Sequence, residues 1–183
     1  MSEGELEAAI VASVHELSRL QHDSLVGQRR QLEAQLENKL APRGLRIATV
    51  QADGNCMFRA VALLLLGDEE LHPIVRTDAV NEVRRFPVYY APFGADVQAW
   101  TMRMRENSEW GDAIALQAIA ASYNVSIEVV TSVPGQPSLH ILAGRHDARR
   151  HLVRRIVMAH IAHVHYDAVF PNHRPGGDHA FSI

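Results

Sequence analysis

The segment Asp53-Gly54-Asn55-Cys56-Met57-Phe58-Arg59-Ala60 holds the only cysteine of the chain and joins two patterns of different period. Ahead of it, Leu45-Arg46-Ile47-Ala48-Thr49-Val50 alternates apolar and polar residues as a half-buried strand does. Behind it, Phe58 to Leu66 is an apolar run of helical character, ended by Gly67. Asp, Gly and Asn between them make a tight turn, with Asn55 placed as the N-cap of the helix. Cys56 then falls in the first helical turn, where free backbone N–H groups and the positive end of the macrodipole favour a thiolate. A single cysteine is ordinarily a small buried hydrophobe. A strand, a glycine-bearing polar turn, a nucleophile and a helix in that order instead present a reactive atom to substrate.

A nucleophilic thiol needs a base, and the base needs an orienting group. His160-Ile161-Ala162-His163-Val164-His165-Tyr166-Asp167-Ala168-Val169-Phe170 supplies both. On a strand, His165 and Asp167 point to the same face, so the carboxylate can hold one ring nitrogen while the other faces the thiol. The same histidines raise a metal site as a rival, since His163 and His165 share a strand face. Apart from Asp167, no cysteine or acidic pair stands at ligand spacing, so no metal and no cofactor are expected.

Asp53-Gly54-Asn55-Cys56-Met57-Phe58-Arg59 resembles the nucleophile motif of the OTU (ovarian tumour) cysteine proteases. His165-Tyr166-Asp167-Ala168-Val169 resembles the family's histidine motif, and Glu109-Trp110-Gly111-Asp112-Ala113-Ile114-Ala115-Leu116-Gln117-Ala118 resembles the W-G-D segment between them. The likeness runs from about Leu45 to Phe170, with Met57 and Ala168 as mild departures where leucine and serine are common. It implies an α/β, papain-like OTU fold: a small central mixed sheet packed between helices, to which the helical spacing of the first forty residues adds extra N-terminal helices. It also implies a cysteine deubiquitinase that hydrolyses isopeptide bonds at the C-terminal glycine of ubiquitin through a Cys–His–Asp triad and a thioester. The expected partners are ubiquitin or polyubiquitin chains, or another ubiquitin-like modifier. The alternative from another class is an inactive OTU-like module that only binds ubiquitin; intact Cys56, His165 and Asp167 argue against it.

The third triad member stays open at this point, because the resemblance allows either Asp53 or Asp167. Same-face spacing favours Asp167 as the orienter. Asp53 then shapes the turn, with the backbone of Asp53, Gly54, Asn55 and Cys56 lining an oxyanion hole. Trp110 is ordinarily a core anchor; if exposed, it becomes a candidate wall for the groove that takes a Gly-Gly tail.

Composition sets the bounds. The 183 residues are 47% hydrophobic and 21% charged, which fits one ordinary globular domain. A net charge of −3 argues against nucleic-acid binding, and the Arg145 to Arg155 region reads as a solvated face or strand edge. A single cysteine excludes an internal disulfide and suits a reducing compartment. The acidic start Met-Ser-Glu-Gly-Glu lacks a signal-peptide pattern, and no apolar run is long enough to span a membrane. A cytoplasmic monomer is expected, with the nucleus, or a host cytosol for a secreted effector, as other locations.

Three sections are expected: a helical extension over 1–44 packed on the core, the catalytic core over 45–170, and a tail over 171–183. The extension divides into a helix from Ser2, a break at His22-Asp23-Ser24, and a second helix with Leu25, Leu32, Leu36 and Leu40 on one face, closed by Pro42 and Gly44. Within the core, helices are predicted over Ile74 to Phe86, Asp96 to Arg105, and from Asp112 onward, with Val88 to Gly94 irregular. Strands are predicted at Val125–Val130, Leu139–Leu142, Ile156–Met158 and His165–Phe170. In the tail, Phe181 and Ile183 are candidate anchors.

Overall fold

The computed structural model describes residues 26–93, 96–142, 154–161 and 165–172. The helix predicted from Ser2, the break at His22-Asp23-Ser24, Leu25, His163, the basic residues Arg145 to Arg150, and Phe181 with Ile183 lie outside these residues.

The architecture is mixed α/β. Among the described residues five strands form one sheet: β1 (Leu45–Ala48), β2 (Val125–Thr131), β3 (Leu139–Ile141), β4 (Arg154–Ile161) and β5 (His165–Pro171). Their order is β1-β5-β4-β2-β3. Only β2 and β4 run parallel; the other neighbours are antiparallel. The helices among the described residues are α1 (26–40), α2 (Cys56–Leu66), α3 (His72–Arg85), α4 (Pro87–Tyr90), α5 (Val97–Arg103) and α6 (Ala113–Ser122).

The strand period sorts side chains onto the two faces of the sheet. Along β4, Ile156 and Met158 join the core shared with α2, α3 and α6, while Ala159 and Ile161 join a second cluster with Leu36 and Leu40 of α1. A sheet covered on both faces must be apolar on both, and the continuous run in β4 has that cause. Burying Leu36 and Leu40 contributes about 2 kcal/mol each, and both are fully enclosed. Polar ties add direction: Lys39 donates to the Thr131 carbonyl at 2.6 Å. Arg43 makes a two-pronged contact to the buried Glu128 at 2.9 and 2.6 Å.

On the other face, α2 lies between β5 and α3. It is apolar around most of its circumference because it is enclosed on both sides. Gly67 ends it in the left-handed conformation at φ 83°. Asp112 caps α6 by accepting the Ala115 N–H at 3.0 Å.

Several boundaries differ from expectation. The acidic loop after Gly67 contains a 3-10 turn over Glu69–Leu71, and α3 starts at His72, with Pro73 in its first turn. Residues 87–93 are helical rather than irregular: Pro87 opens α4, where its missing N–H costs nothing, and a 3-10 turn over Ala91–Phe93 follows. Contacts among Tyr89, Tyr90 and Phe93, with ring centroids 5.0 to 6.3 Å apart, hold that segment together. Strand β5 extends through Pro171, which pairs with Leu45, one residue into the expected tail.

Candidate active site

One half of the site is built by the sheet. His165 opens β5, and Asp167 follows on the same face. The His165 Nε2 lies 2.8 Å from Asp167 Oδ1. That oxygen also accepts the Val50 N–H at 3.0 Å, at the end of the segment leaving β1. Both side chains are buried, each residue 2% exposed. The second ring nitrogen, Nδ1, is buried without a hydrogen-bond partner. Burial opposes charge on this ring, but the Asp167 hydrogen bond and then the Cys56 thiol outweigh it and raise the His165 pKa to about 9. The Cys56 sulfur therefore lies within interaction range of the ring whose Nδ1 is unused. A hydrogen bond not yet closed in the resting state is common between catalytic groups. Tyr166 is pushed upward by burial first and then by the neighbouring Cys56 and Asp112. Its ring stacks on His160 at 4.5 Å.

The other half is a turn held by side chains. Cys56 is the first residue of α2 and is 5% exposed. Gly54 has φ 82°, in the left-handed region, and a Cβ there would collide with the Ser108 carbonyl oxygen. Gly111 is packed for a different reason: a Cβ there would meet the Met57 Cε, the end of a flexible side chain that would have to shift. Asp53 accepts the Asn55 N–H at 2.9 Å and the Asn55 Nδ2 at 3.0 Å. It also takes two bonds from Arg59, at 3.1 and 2.8 Å. Arg59 first, and then Asn55, hold the Asp53 carboxyl well below the usual carboxylate range. The acidic loop completes the brace, with Glu70 accepting from Arg59 at 2.8 Å and Glu69 from the Gln51 N–H at 3.2 Å.

Two expectations change here. Asn55 occupies the N-cap position, but its side chain makes no capping bond. Its amide nitrogen donates to Asp53 and to Asn107, and its oxygen accepts from Arg76 and the Ser108 N–H. The four-fold demand of those partners displaces the cap. The Asn55 backbone N–H is likewise committed to Asp53, so it is not a free donor for an oxyanion. Among the described residues, the Gly54 and Cys56 amides have no acceptor.

The structure brings Cys56, His165 and Asp167 to one place, with Asp53 on the turn beside Arg59. Trp110 is 54% exposed and is not a core anchor. That part is played by Trp100, whose indole N–H donates to Asp112 at 2.8 Å. Among the described residues no group of three His, Cys, Asp or Glu is arranged to hold a metal ion. None of their helices is long and apolar enough to cross a membrane.

The sequence reading placed Arg76 in a helix and gave neither it nor the 104–109 segment a role at the site. One signal was available: Arg76 stands three and four positions before Ala79 and Val80, on the apolar stripe of α3. An arginine on a buried stripe asks for buried acceptors.

A family profile described as OTU-like cysteine protease matches residues 51–169. From Arabidopsis thaliana, the protein "OVARIAN TUMOR DOMAIN-containing deubiquitinating enzyme 10" is 32% identical over 138 residues, covering 75% of this chain and 38% of that protein. Enzyme 11 of the same series is 30% identical, covering 75% of this chain and 55% of its own length. The Homo sapiens OTU domain-containing protein 5 is 27% identical, covering 69% of this chain and 22% of that protein. The chain thus spans about half or less of the length of these relatives. Among solved structures, the OTU domain of OTUD1 superposes with a TM-score of 0.70 at 24% identity, covering 79% of this chain and 98% of that one. An OTU domain in complex with ubiquitin superposes with a TM-score of 0.57 at 20% identity, covering 72% and 77%.

Proposed function

We propose, since this chain belongs to the OTU-like cysteine protease family, that it is a thiol isopeptidase acting on ubiquitin. The observation that carries this reading is the placement of His165, with Nε2 tied to Asp167 and Nδ1 left unpartnered within range of Cys56. Relatives named as deubiquitinating enzymes, and a neighbour of the same fold described in complex with ubiquitin, supply the substrate class.

In the first step the Cys56 thiol gives its proton to His165, and the sulfur attacks the carbonyl carbon of the C-terminal glycine of ubiquitin, where it is joined to a lysine amine. The carbonyl π electrons move onto oxygen, and the amides of Gly54 and Cys56 receive that charge. The tetrahedral species collapses to a thioester as the C–N bond breaks, and His165 gives its proton to the departing amine. The raised pKa of His165 keeps that proton available at neutral pH. The imidazole then takes a proton from water, which hydrolyses the thioester and frees the thiol. No step requires a metal or an organic cofactor. Asp167 orients the ring from Nε2, Asp53 sets the shape of the turn, and Trp110 walls the groove for the C-terminal glycines.

A ubiquitin probe with an electrophile at its C-terminus tests the proposal. A covalent adduct is expected, lost in Cys56→Ala and in His165→Ala. Binding of the probe without capture would replace the enzyme with a non-catalytic ubiquitin module. Capture of a different modifier in preference to ubiquitin would move the substrate class and leave the chemistry in place.

A further inference from the structure

Arg76 is a buried cation with no ion pair among the described residues. It is 5% exposed, and burial drives its pKa down from the usual arginine value. A charge taken out of water at such cost is ordinarily matched by a carboxylate. Here neutral oxygens take its hydrogen bonds, and the Glu109 and Asp53 carboxylates favour its charge only from beyond ion-pair distance. Its Nη2 donates to Asn55 Oδ1 at 2.7 Å and to the Glu109 carbonyl at 2.8 Å. Its Nη1 donates to the Met104 carbonyl at 3.1 Å. The plane lies over the Phe58 ring, 4.0 Å from the centroid.

These contacts join three pieces of chain that share no secondary structure: the turn before α2, the end of α5, and the segment leading to Trp110. Asn55 relays the hold. With its oxygen shared between Arg76 and the Ser108 N–H, and its nitrogen between Asp53 and Asn107, every hydrogen-bonding position on that side chain is used. Gly54 sits against the Ser108 carbonyl with no room for a methyl group. The orientation of the Gly54 and Cys56 amides is therefore tied to the position of the 104–109 segment. The planar fork of arginine reaches three acceptors in fixed directions; an ammonium at the same place is a point charge.

We propose that Arg76 is the positioning residue of the nucleophile turn, holding Asn55 and residues 104–109 in one register so that the oxyanion donors beside Cys56 stay aimed. It acts through Asn55 and is not itself placed against substrate. The kinetic part of this inference rests on the proposed hydrolase activity; the positioning part does not.

The test compares the full chain with Arg76→Met and Arg76→Lys by three readouts. With a fluorogenic ubiquitin C-terminal amide, Arg76→Met is expected to lower kcat by about 100-fold, the scale of losing one oxyanion donor, with KM within about threefold. Alkylation of Cys56 by iodoacetamide needs no oxyanion hole and is expected to stay within about threefold. Hydrogen exchange is expected to rise about tenfold or more in the peptides covering 53–58 and 104–110, with β4 and α6 unchanged. Arg76→Lys keeps the charge without the fork and is expected to fall between parent and Met, which keeps the test decisive if Arg76→Met fails to fold. The proposal is overturned if kcat stays within twofold. It is equally overturned if exchange rises throughout the chain, or if alkylation falls in step with kcat. Should the parent hydrolyse no ubiquitin substrate, the proposed function fails instead, and exchange at the two segments alone decides whether Arg76 positions the turn.

Discussion

His165 with Asp167 and the turn from Asp53 to Cys56 are two halves of one site, held by different physics. The first half is held by a ladder. His165 pairs with Ile161 and Asp167 with Ala159 on β4, so strand register fixes both side chains, and one further bond from the Val50 N–H steadies the carboxylate. The second half has no ladder. Its geometry comes from side chains of Asp53, Asn55, Arg59, Glu70 and Arg76 and from the backbone at 108–109. Damage to the first half should remove function, with a stability cost that follows the charge on His165 and so depends on pH, whereas damage to the second should lower stability through the packing of the turn.

The largest expected effect separates the two carboxylates. Asp167→Ala frees the imidazole and is expected to lower kcat by about 10³ to 10⁴-fold. Asp53→Ala leaves His165 untouched and acts only through the turn, so a loss of about tenfold is expected, below the cost of a whole oxyanion donor. It should also lower Tm, because the buried Arg59 keeps only Glu70. Steady-state kinetics and thermal melts on both variants check this. Equal losses of kcat, or a reversed order, would move the orienting role to Asp53.

The charge on His165 gives the next largest effect. Its pKa is raised from 6.5 to about 9 in the folded protein. A group raised on folding stabilises fully below its unfolded pKa and loses that contribution as pH rises through the folded one. The window is therefore pH 6.5 to 9, and the contribution is on the order of 3 kcal/mol. The Tm difference between the parent and His165→Gln should be widest near pH 6 and should narrow by about 8 °C by pH 9.5. A difference that stays flat across the window would mean that the imidazole is neutral in the folded protein.

A pair of glycines sharpens the view of the second half. Gly54 and Gly67 have nearly the same φ, 82° and 83°, but only Gly54 has a neighbour in the way. Gly67→Ala should cost about 1 kcal/mol for the left-handed conformation alone. Gly54→Ala adds the collision with Ser108 and should cost about 3 kcal/mol in all. Denaturant melts give both values, and their difference measures how tightly the 104–109 segment is pressed on the turn. Equal costs would show that segment to be free to retreat.

This contrast also explains what could be read in advance. The alternation in Leu45–Val50 and His165–Phe170 needs only a period, and the sheet carries strands over Leu45–Ala48 and His165–Pro171, the first of them two residues shorter than its pattern. The thiol, imidazole and carboxylate needed only residue type and spacing. The cap role given to Asn55 failed because local propensity cannot see Arg76, Asn107 and Ser108 arriving from later in the chain. The oxyanion role expected of the Asn55 amide failed for a nearer reason, since the Asp53 side chain folds back onto that N–H. Residues 87–93 read as irregular because aromatic packing rather than an apolar stripe shapes them. Trp110 and Trp100 are chemically identical in the sequence; only burial tells them apart, and burial is a property of the whole fold.

The smallest expected effect concerns Trp110, which follows the second half along the chain. Its backbone follows directly from Glu109, whose carbonyl is held by Arg76, and precedes Gly111, which is pressed on Met57. The main chain is therefore fixed on both sides while the indole stands 54% exposed. An aromatic presented on a rigid backbone loses little conformational freedom when a partner covers it. Trp110→Ala should accordingly lower Tm by no more than a few degrees, since about half of the residue is already exposed. It should lower kcat/KM by about fivefold, mainly through KM, if the ring walls the groove for the C-terminal glycines. A folded variant with full kcat/KM would remove Trp110 from the groove. A fall in kcat at constant KM would place the indole instead within the machinery that Arg76 and Asn55 hold in register.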